Sequence, residues 1–147
     1  MNSLKNLLFI SSKESNPGYL ILRIFFGVAL FIHGYPKMFG GIEKWRALGG
    51  AMNQLGVGFF PAFWGFMAAF AEFFGGIFLI LGLFTTINAF LVFFTMLVAA
   101  FFVHGGDPFK VRELALVYFF CSILYMMKGA GKYSIDYYLF GKGRMYR

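Results

Sequence analysis

Four long runs of apolar residues dominate the chain, and short polar stretches separate them. The runs cover residues 19–38, 62–84, 86–104 and 111–127. At a rise of about 1.5 Å per residue, a helix of roughly 20 residues crosses the roughly 30 Å hydrocarbon core of a bilayer. The pattern predicts an all-α protein, a bundle of four transmembrane helices that forms a single domain over residues 1–147.

The stretch between the first two runs has the pattern of an amphipathic helix. Its apolar positions recur at helical spacing and are Ile42, Trp45, Leu48, Met52 and Leu55. Its charged positions are Glu43, Lys44 and Arg46. This arrangement is typical of a helix that lies at the membrane interface. The Gly49-Gly50 pair is expected to weaken or bend it.

Turn residues mark the ends of the later helices. Gly82 and the Thr85-Thr86 pair predict a tight hairpin between the second and third runs, with the threonines as the next N-cap. The glycines of residues 129–131 predict the end of the fourth helix. Beyond them, Ser134 is expected to cap a short aromatic segment within an amphipathic tail, residues 129–147.

Composition supports a membrane location. The chain is 60% hydrophobic and 13% charged, whereas soluble domains are about 45–50% apolar and about 25% charged. A small water-soluble fold cannot bury so much apolar surface. The formal net charge is +7, but the basic residues lie almost entirely outside the apolar runs, so lipid headgroups are expected neighbours rather than nucleic acid.

The basic residues also predict an orientation. One side of a four-helix arrangement carries both termini and seven basic residues, Lys5, Lys13, Lys128, Lys132, Lys142, Arg144 and Arg147. The other side carries five, Lys37, Lys44, Arg46, Lys110 and Arg112. The positive-inside rule therefore predicts a multi-pass protein of the bacterial inner (plasma) membrane with cytoplasmic termini. The first run lacks a small-residue cleavage pattern and is expected to be a retained helix rather than a signal peptide.

Two residues of opposite charge stand out among the ionisable residues inside the apolar runs. Glu72 falls near the middle of the second run and Arg23 near the start of the first. Counted from opposite ends of a bilayer core, their depths differ by roughly 7 Å. We therefore expect Arg23 to be the partner of Glu72. Such a pair either fixes how the two helices pack or handles protons or substrate.

Two histidines and a carboxylate are expected at the opposite rim of the bundle. They are His33, His104 and Glu113. Their neighbours there are Lys37, Asp107 and Arg112. A histidine beside a carboxylate can shuttle protons or form a hydrogen bond with a quinone carbonyl. No metal is expected, because no HxxxH or HxxE spacing occurs, and a plain rim of headgroup-facing polar residues is the alternative.

Four sequence blocks in order resemble the DoxX-like family of small bacterial membrane proteins, over about residues 18–136. The first block is Arg23-x3-Gly27 followed by residues 31–40, FIHGYPKMFG. The second is residues 72–76, EFFGG, leading to Thr85-Thr86. The third includes His104 and Glu113, and the last is residues 129–136, GAGKYSID. The resemblance implies a four-helix membrane protein related to a subunit of a quinone-linked oxidase system.

Three functions remain open on the sequence. The first is a membrane subunit of a redox complex that binds a quinone or lipid-like molecule near Arg23, His33, Lys37, Glu72, His104 and Glu113. No haem, flavin or iron–sulfur motif is present, so no covalently bound cofactor is expected and electrons would come from a redox-enzyme partner. The second is a non-catalytic anchor or assembly partner for another enzyme. The third is a small transporter, which with four helices would need a homo-oligomer. Whether the chain is an enzyme stays open.

Overall fold

The described part of the chain is helical throughout. A computed structural model describes residues 15–141. Its elements are α1 (Pro17–Met38), α2 (Gly41–Gly49), a 3-10 helix (Gly50–Leu55), α3 (Pro61–Leu81), α4 (Thr85–Leu97) with a π-helical extension (Val98–Val103), α5 (Phe109–Lys128) and a π-helical turn (Tyr137–Gly141). The all-α prediction is confirmed for these residues. Five of the basic residues used to predict orientation lie outside this range, Lys5, Lys13, Lys142, Arg144 and Arg147, as does the end of the predicted tail.

Three helices are long and apolar enough to cross a membrane. They are α1, α3, and α4 with its π-helical extension, residues 85–103. These match three of the predicted runs, although α3 ends at Leu81 rather than at residue 84. The fourth run also forms a helix, α5, but does not belong to this group. Its first turns carry Lys110, Arg112 and Glu113, and its last residue is Lys128.

Small residues set the register between α1 and α3. A Cβ atom on Gly27 would lie 2.7 Å from the carbonyl oxygen of Gly76, and one on Gly34 would meet the backbone of Glu72 and Phe73. Only glycine permits backbones to approach so closely, as in other membrane helix pairs. The two helices therefore run antiparallel, with Gly27 level with the turn from Gly76 to Ile80 and Gly34 level with Glu72 and Phe73.

The remaining helices close around an aromatic and aliphatic core. Its buried members are Phe26, Leu30, Leu79, Ala89, Val92, Met96, Tyr118 and Tyr125. Tyr118 and Tyr125 bring α5 against Phe26 of α1, with ring centroids 5.6 and 5.8 Å apart. Many large apolar side chains remain exposed on the outside, among them Ile21, Phe25, Phe63, Phe90 and Phe120. Such an outer surface is suited to lipid rather than water.

The predicted amphipathic helix is present but short. Helix α2 gives way to the 3-10 helix at Gly50, where the sequence predicted a weak point. It packs directly on α3, because a Cβ on Gly65 would fall 2.6 Å from the carbonyl carbon of Trp45. The Trp45 indole also donates a hydrogen bond to the carbonyl of Lys37 at 3.0 Å. The helix is thus fixed across one end of α3.

The turn between α3 and α4 is held by the C-terminal segment. Gly82 ends α3 with φ 65°, as its sequence position predicted. The predicted threonine cap is wrong, however, since Thr85 is already the first helical residue of α4. The carboxylate of Asp136 caps this helix instead, accepting hydrogen bonds from the N–H groups of Phe84 and Thr85, both at 2.8 Å. The predicted cap by Ser134 is confirmed, because its hydroxyl accepts a hydrogen bond from the N–H of Tyr137.

Candidate functional site

The buried carboxylate of Glu72 is paired with Lys37. The Lys37 ammonium lies 2.6 Å from both carboxylate oxygens. Glu72 is 3% exposed, whereas the Lys37 side chain keeps 30% of its surface. Lys37 follows one turn after Gly34, which brings its stem down the face of α1 that meets Glu72. A buried carboxylate requires such a partner, because an unpaired charge is costly in an apolar interior.

The predicted pair between Arg23 and Glu72 is wrong. Arg23 is buried, at 1% exposure, and its guanidinium donates to the carbonyl oxygens of Ala130 and Tyr133. Its Cζ atom lies 3.0 Å from the position that a Cβ of Gly82 would take, at the far end of α3 from Glu72. Arg23 therefore holds the C-terminal segment against the bundle and belongs to the structure of the fold rather than to the Glu72 site.

The glycine contacts explain why depth counting failed. Arg23 lies at the level of Gly82, ten positions from Glu72, which corresponds to about 15 Å along a helix. Depths measured from assumed helix ends differ by only roughly 7 Å, which is too small because the ends of the two helices do not lie level with each other at the assumed membrane boundary. The small residues carried the better signal. With Gly27 level with the turn from Gly76 to Ile80, Arg23 lies near the end of α3 and Lys37 lies within reach of Glu72.

Lys37 and Glu72 form part of the wall of a cavity. Its volume is about 600 Å³. It lies between α3 and the C-terminal half of α4 with its extension, and the end of α2 and the 3-10 helix cover it. Most of its lining is apolar and includes Leu48, Met52, Trp64, Met67, Ala71, Leu91, Phe94, Val98 and Val103. Helices α3 and α4 meet where Gly75 faces Val92 and Asn88. Towards the cavity, α2 and the 3-10 helix fill the space between them.

His104 lines the same cavity. Its Nδ1 atom lies 2.7 Å from the carboxylate of Asp107, and both side chains are partly exposed, at 39% and 47%. This contact leaves the Nε2 atom as an acceptor when the ring is neutral and as a donor when it is protonated. His104 thus offers a second polar contact beside the Lys37–Glu72 pair. The predicted proximity of His104 and Asp107 is confirmed.

Besides Arg23, two further predicted site residues do not belong to this cavity. His33 is exposed on α1, where its ring lies edge-on to Tyr118 with centroids 6.0 Å apart. Glu113 is exposed in the first turns of α5. Neither lines the cavity. The predicted group of His33, His104 and Glu113 is therefore not assembled there, because position along a helix fixes height in the bundle but not the face on which a side chain lies.

Two polar side chains in the lining are already occupied. The indole of Trp64 donates to the carbonyl of Phe59 at 3.0 Å, and the hydroxyl of Thr95 donates to the carbonyl of Leu91 at 2.9 Å. The ionisable residues in the lining are Lys37, Glu72 and His104. The sequence reasoning had not identified Trp64 or Thr95. The available signal was helical spacing, since Trp64, Ala68 and Ala71 lie on one side of α3, and Leu91, Thr95 and Ala99 lie on one side of α4 and its extension.

The DoxX family model matches residues 18–105, more than half of the 147-residue chain. The matched region includes Arg23, Lys37, Glu72 and His104 and ends before Glu113 and the C-terminal segment. No curated protein and no solved structure matches the chain. With its three apolar helices of membrane-crossing length, the chain belongs to the DoxX family of membrane proteins.

Proposed function

We propose that this protein is a membrane subunit of a redox complex and that it binds a quinone or lipid-like molecule in the cavity beside Lys37 and Glu72. The observation that carries this proposal is a mostly apolar cavity of about 600 Å³ with a buried ion pair in its wall. Small-molecule sites generally measure about 300–1,000 Å³ and combine an apolar lining with few polar groups. The residues present fit a ligand with a polar head and an apolar body.

The cavity is placed to receive its ligand from the bilayer. Phe63, Phe90 and Phe94 line it and are also exposed, at 53%, 52% and 40%. Because these side chains lie on the sides of α3 and α4, the opening faces laterally, where acyl chains would surround the protein. A molecule dissolved in lipid reaches such an opening without crossing water. The polar head is then oriented by Lys37 and His104, and the redox-enzyme partner supplies the electrons.

The membrane arrangement extends this proposal. We take α5 as a fourth transmembrane helix, because it is 20 residues long and packs its Tyr118 and Tyr125 against Phe26 in the centre of the bundle. Four helices place both termini on one side, which the basic residues assign to the cytoplasm of a bacterial inner membrane. Reporter fusions after residue 147 that are active only outside the cell would reverse this orientation.

Ligand binding is tested directly in the purified protein. The molecule is extracted in mild detergent, and small molecules that leave the membrane with it are identified by mass spectrometry. A quinone is then titrated while tryptophan fluorescence is recorded, since Trp64 lines the cavity. The Trp64→Phe variant loses this reporter and separates site binding from partition into the micelle. Saturable quenching that is lost in Trp64→Phe supports the site, and linear quenching in both proteins contradicts it.

One observation favours a second function, that of an anchor for another enzyme. Beyond the cap at Asp136, the chain ends its described part in exposed side chains, with Tyr138 at 66% and Leu139 at 55%. The preceding residues are tied to Arg23 and α4, so they belong to the fold. A truncation that tests for partner docking should therefore begin after Gly141. Loss of a co-purified enzyme from this truncated protein, with ligand binding unchanged, would favour the anchor.

A further inference from the structure

On the basis of the proposed ligand site, we infer that the cavity selects an uncharged head group that accepts hydrogen bonds, and that Glu72 is the residue that excludes anions. The ion pair in the wall would then determine specificity as well as packing. This narrows the ligand to amphiphiles with a neutral polar oxygen. Fatty acids and other anionic amphiphiles are excluded.

The first step concerns which hydrogen-bond donors remain for a ligand. The indole of Trp64 and the hydroxyl of Thr95 are used within the protein. The amide of Gln54, an exposed residue at the cavity, adds neutral donors that bring no charge. An ammonium group has three N–H donors. Lys37 directs two of them to the two oxygens of Glu72 and, with its side chain partly exposed to the cavity, keeps one for a ligand. This donor suits an oxygen acceptor in the head group.

The second step concerns charge. Glu72 lies as close to the Lys37 ammonium as an ion pair permits, with both oxygens at 2.6 Å, so the pair presents no net charge to the cavity. Lys37 is the one cationic side chain of fixed charge among the lining residues, and Asp107 accompanies His104. An anion that enters would lose its hydration and meet the carboxylate of Glu72 beside the ammonium. A neutral acceptor loses far less on leaving water.

The test compares two probes of similar shape, one neutral and one anionic. Dodecyl methyl sulfone and dodecyl sulfonate have the same chain and nearly the same head, in which a methyl group replaces a charged oxygen. The wild-type protein is placed in nanodiscs of neutral lipid, and each probe competes with the quinone that quenches Trp64. We expect the sulfone to bind at least about tenfold more tightly than the sulfonate, since the anion loses its hydration and a pair without net charge does not compensate that loss.

Variants test whether Glu72 causes the preference for the neutral probe over the anionic one. Glu72→Gln leaves the Lys37 charge unbalanced, so the affinity for the sulfonate should rise by about tenfold while that for the sulfone changes by less than about threefold. The double variant Lys37→Gln with Glu72→Gln is again neutral and should return to the wild-type preference. Glu113→Gln is the matched control, because it removes an exposed carboxylate outside the cavity.

The outcomes distinguish the inference from the proposed function. Equal binding of the two probes by the wild-type protein overturns the charge selectivity and leaves the ligand site intact. Glu72→Gln without a gain for the sulfonate, or with the same gain in Glu113→Gln, also overturns it. If neither probe competes and the quinone does not bind, the proposed function itself fails. The comparison of the two probes on the wild-type protein tests the charge selectivity even if the Glu72→Gln variant does not fold.

Discussion

Replacing Asp136 by alanine should weaken the fold at the start of α4. The carboxylate accepts hydrogen bonds from the N–H groups of Phe84 and Thr85. Asp136 is buried, with 4% of its surface exposed. Its own N–H donates to the carbonyl of Gly82. Phe84 has φ 48°, a left-handed conformation that is unfavourable for a residue with a side chain. Asp136 therefore stabilises both a helix end and a strained turn.

The size of the effect follows from these contacts. A buried N–H that loses its acceptor, as that of Thr85 would, costs about 1–3 kcal/mol. Loss of an N-cap side chain costs about 1 kcal/mol in other helices, and the negative charge at a helix N-terminus adds about 0.3–1 kcal/mol. Relief of the desolvated carboxylate offsets part of the sum. We expect Asp136→Ala to lower the free energy of unfolding by roughly 2–4 kcal/mol.

Thermal unfolding in detergent provides the measurement. For a chain of this size the expected loss corresponds to a decrease in Tm of roughly 5–15 °C. Asp107→Ala is the control, because it removes the same group from an exposed pair with His104, which is worth about 0–1 kcal/mol. Asp136→Asn keeps one acceptor oxygen and should fall between the two. If Asp136→Ala is no less stable than Asp107→Ala, the capping role assigned to this carboxylate is refuted.

Three further predictions concern single residues. Arg23→Lys should lower stability by about 1.5–3 kcal/mol in the same unfolding assay, since a compact ammonium lacks the planar fork with which the guanidinium binds the two carbonyl groups. Unchanged stability would argue against the role of Arg23 in holding the C-terminal segment. Gly65→Ala should cost about 3 kcal/mol or more because its Cβ meets the backbone carbonyl of Trp45, whereas Gly106→Ala, with open space around it, should have little effect. His104→Gln should weaken quinone binding by about 2- to 12-fold, the range for one hydrogen bond, with an unchanged Tm, and equal affinity would remove His104 from the site.

The helices were predictable because hydrophobicity alone decides them in a membrane protein. The apolar runs of residues 19–38 and 86–104 correspond to helices within two residues at either end. The break at Gly49-Gly50 and the helix end at Gly82 followed from the conformational freedom of glycine. These features depend on neighbouring residues in the sequence, and so they are visible in it.

The pairing of charges was not predictable by counting, because it depends on the relative height of two helices. Glu72 and Arg23 looked like partners when each was measured from an assumed membrane boundary. The contact of Gly34 with the backbone of Glu72 fixes the position of α1 along α3, and in that position the carboxylate pairs with Lys37. Asp136 shows the same difficulty over a longer range, since it caps a helix that begins 51 residues earlier.

The bond between Arg23 and the C-terminal segment also has a consequence for biosynthesis. Ala130 is made 107 residues after Arg23, an interval of roughly 5–20 s at usual rates of translation. Until then the guanidinium lacks its carbonyl partners and is stable only near water or lipid headgroups, because a lone cation in hydrocarbon is costly. Although α1 is translated before the other described helices, we expect it to reach its final depth only after residues 130–133 have been translated.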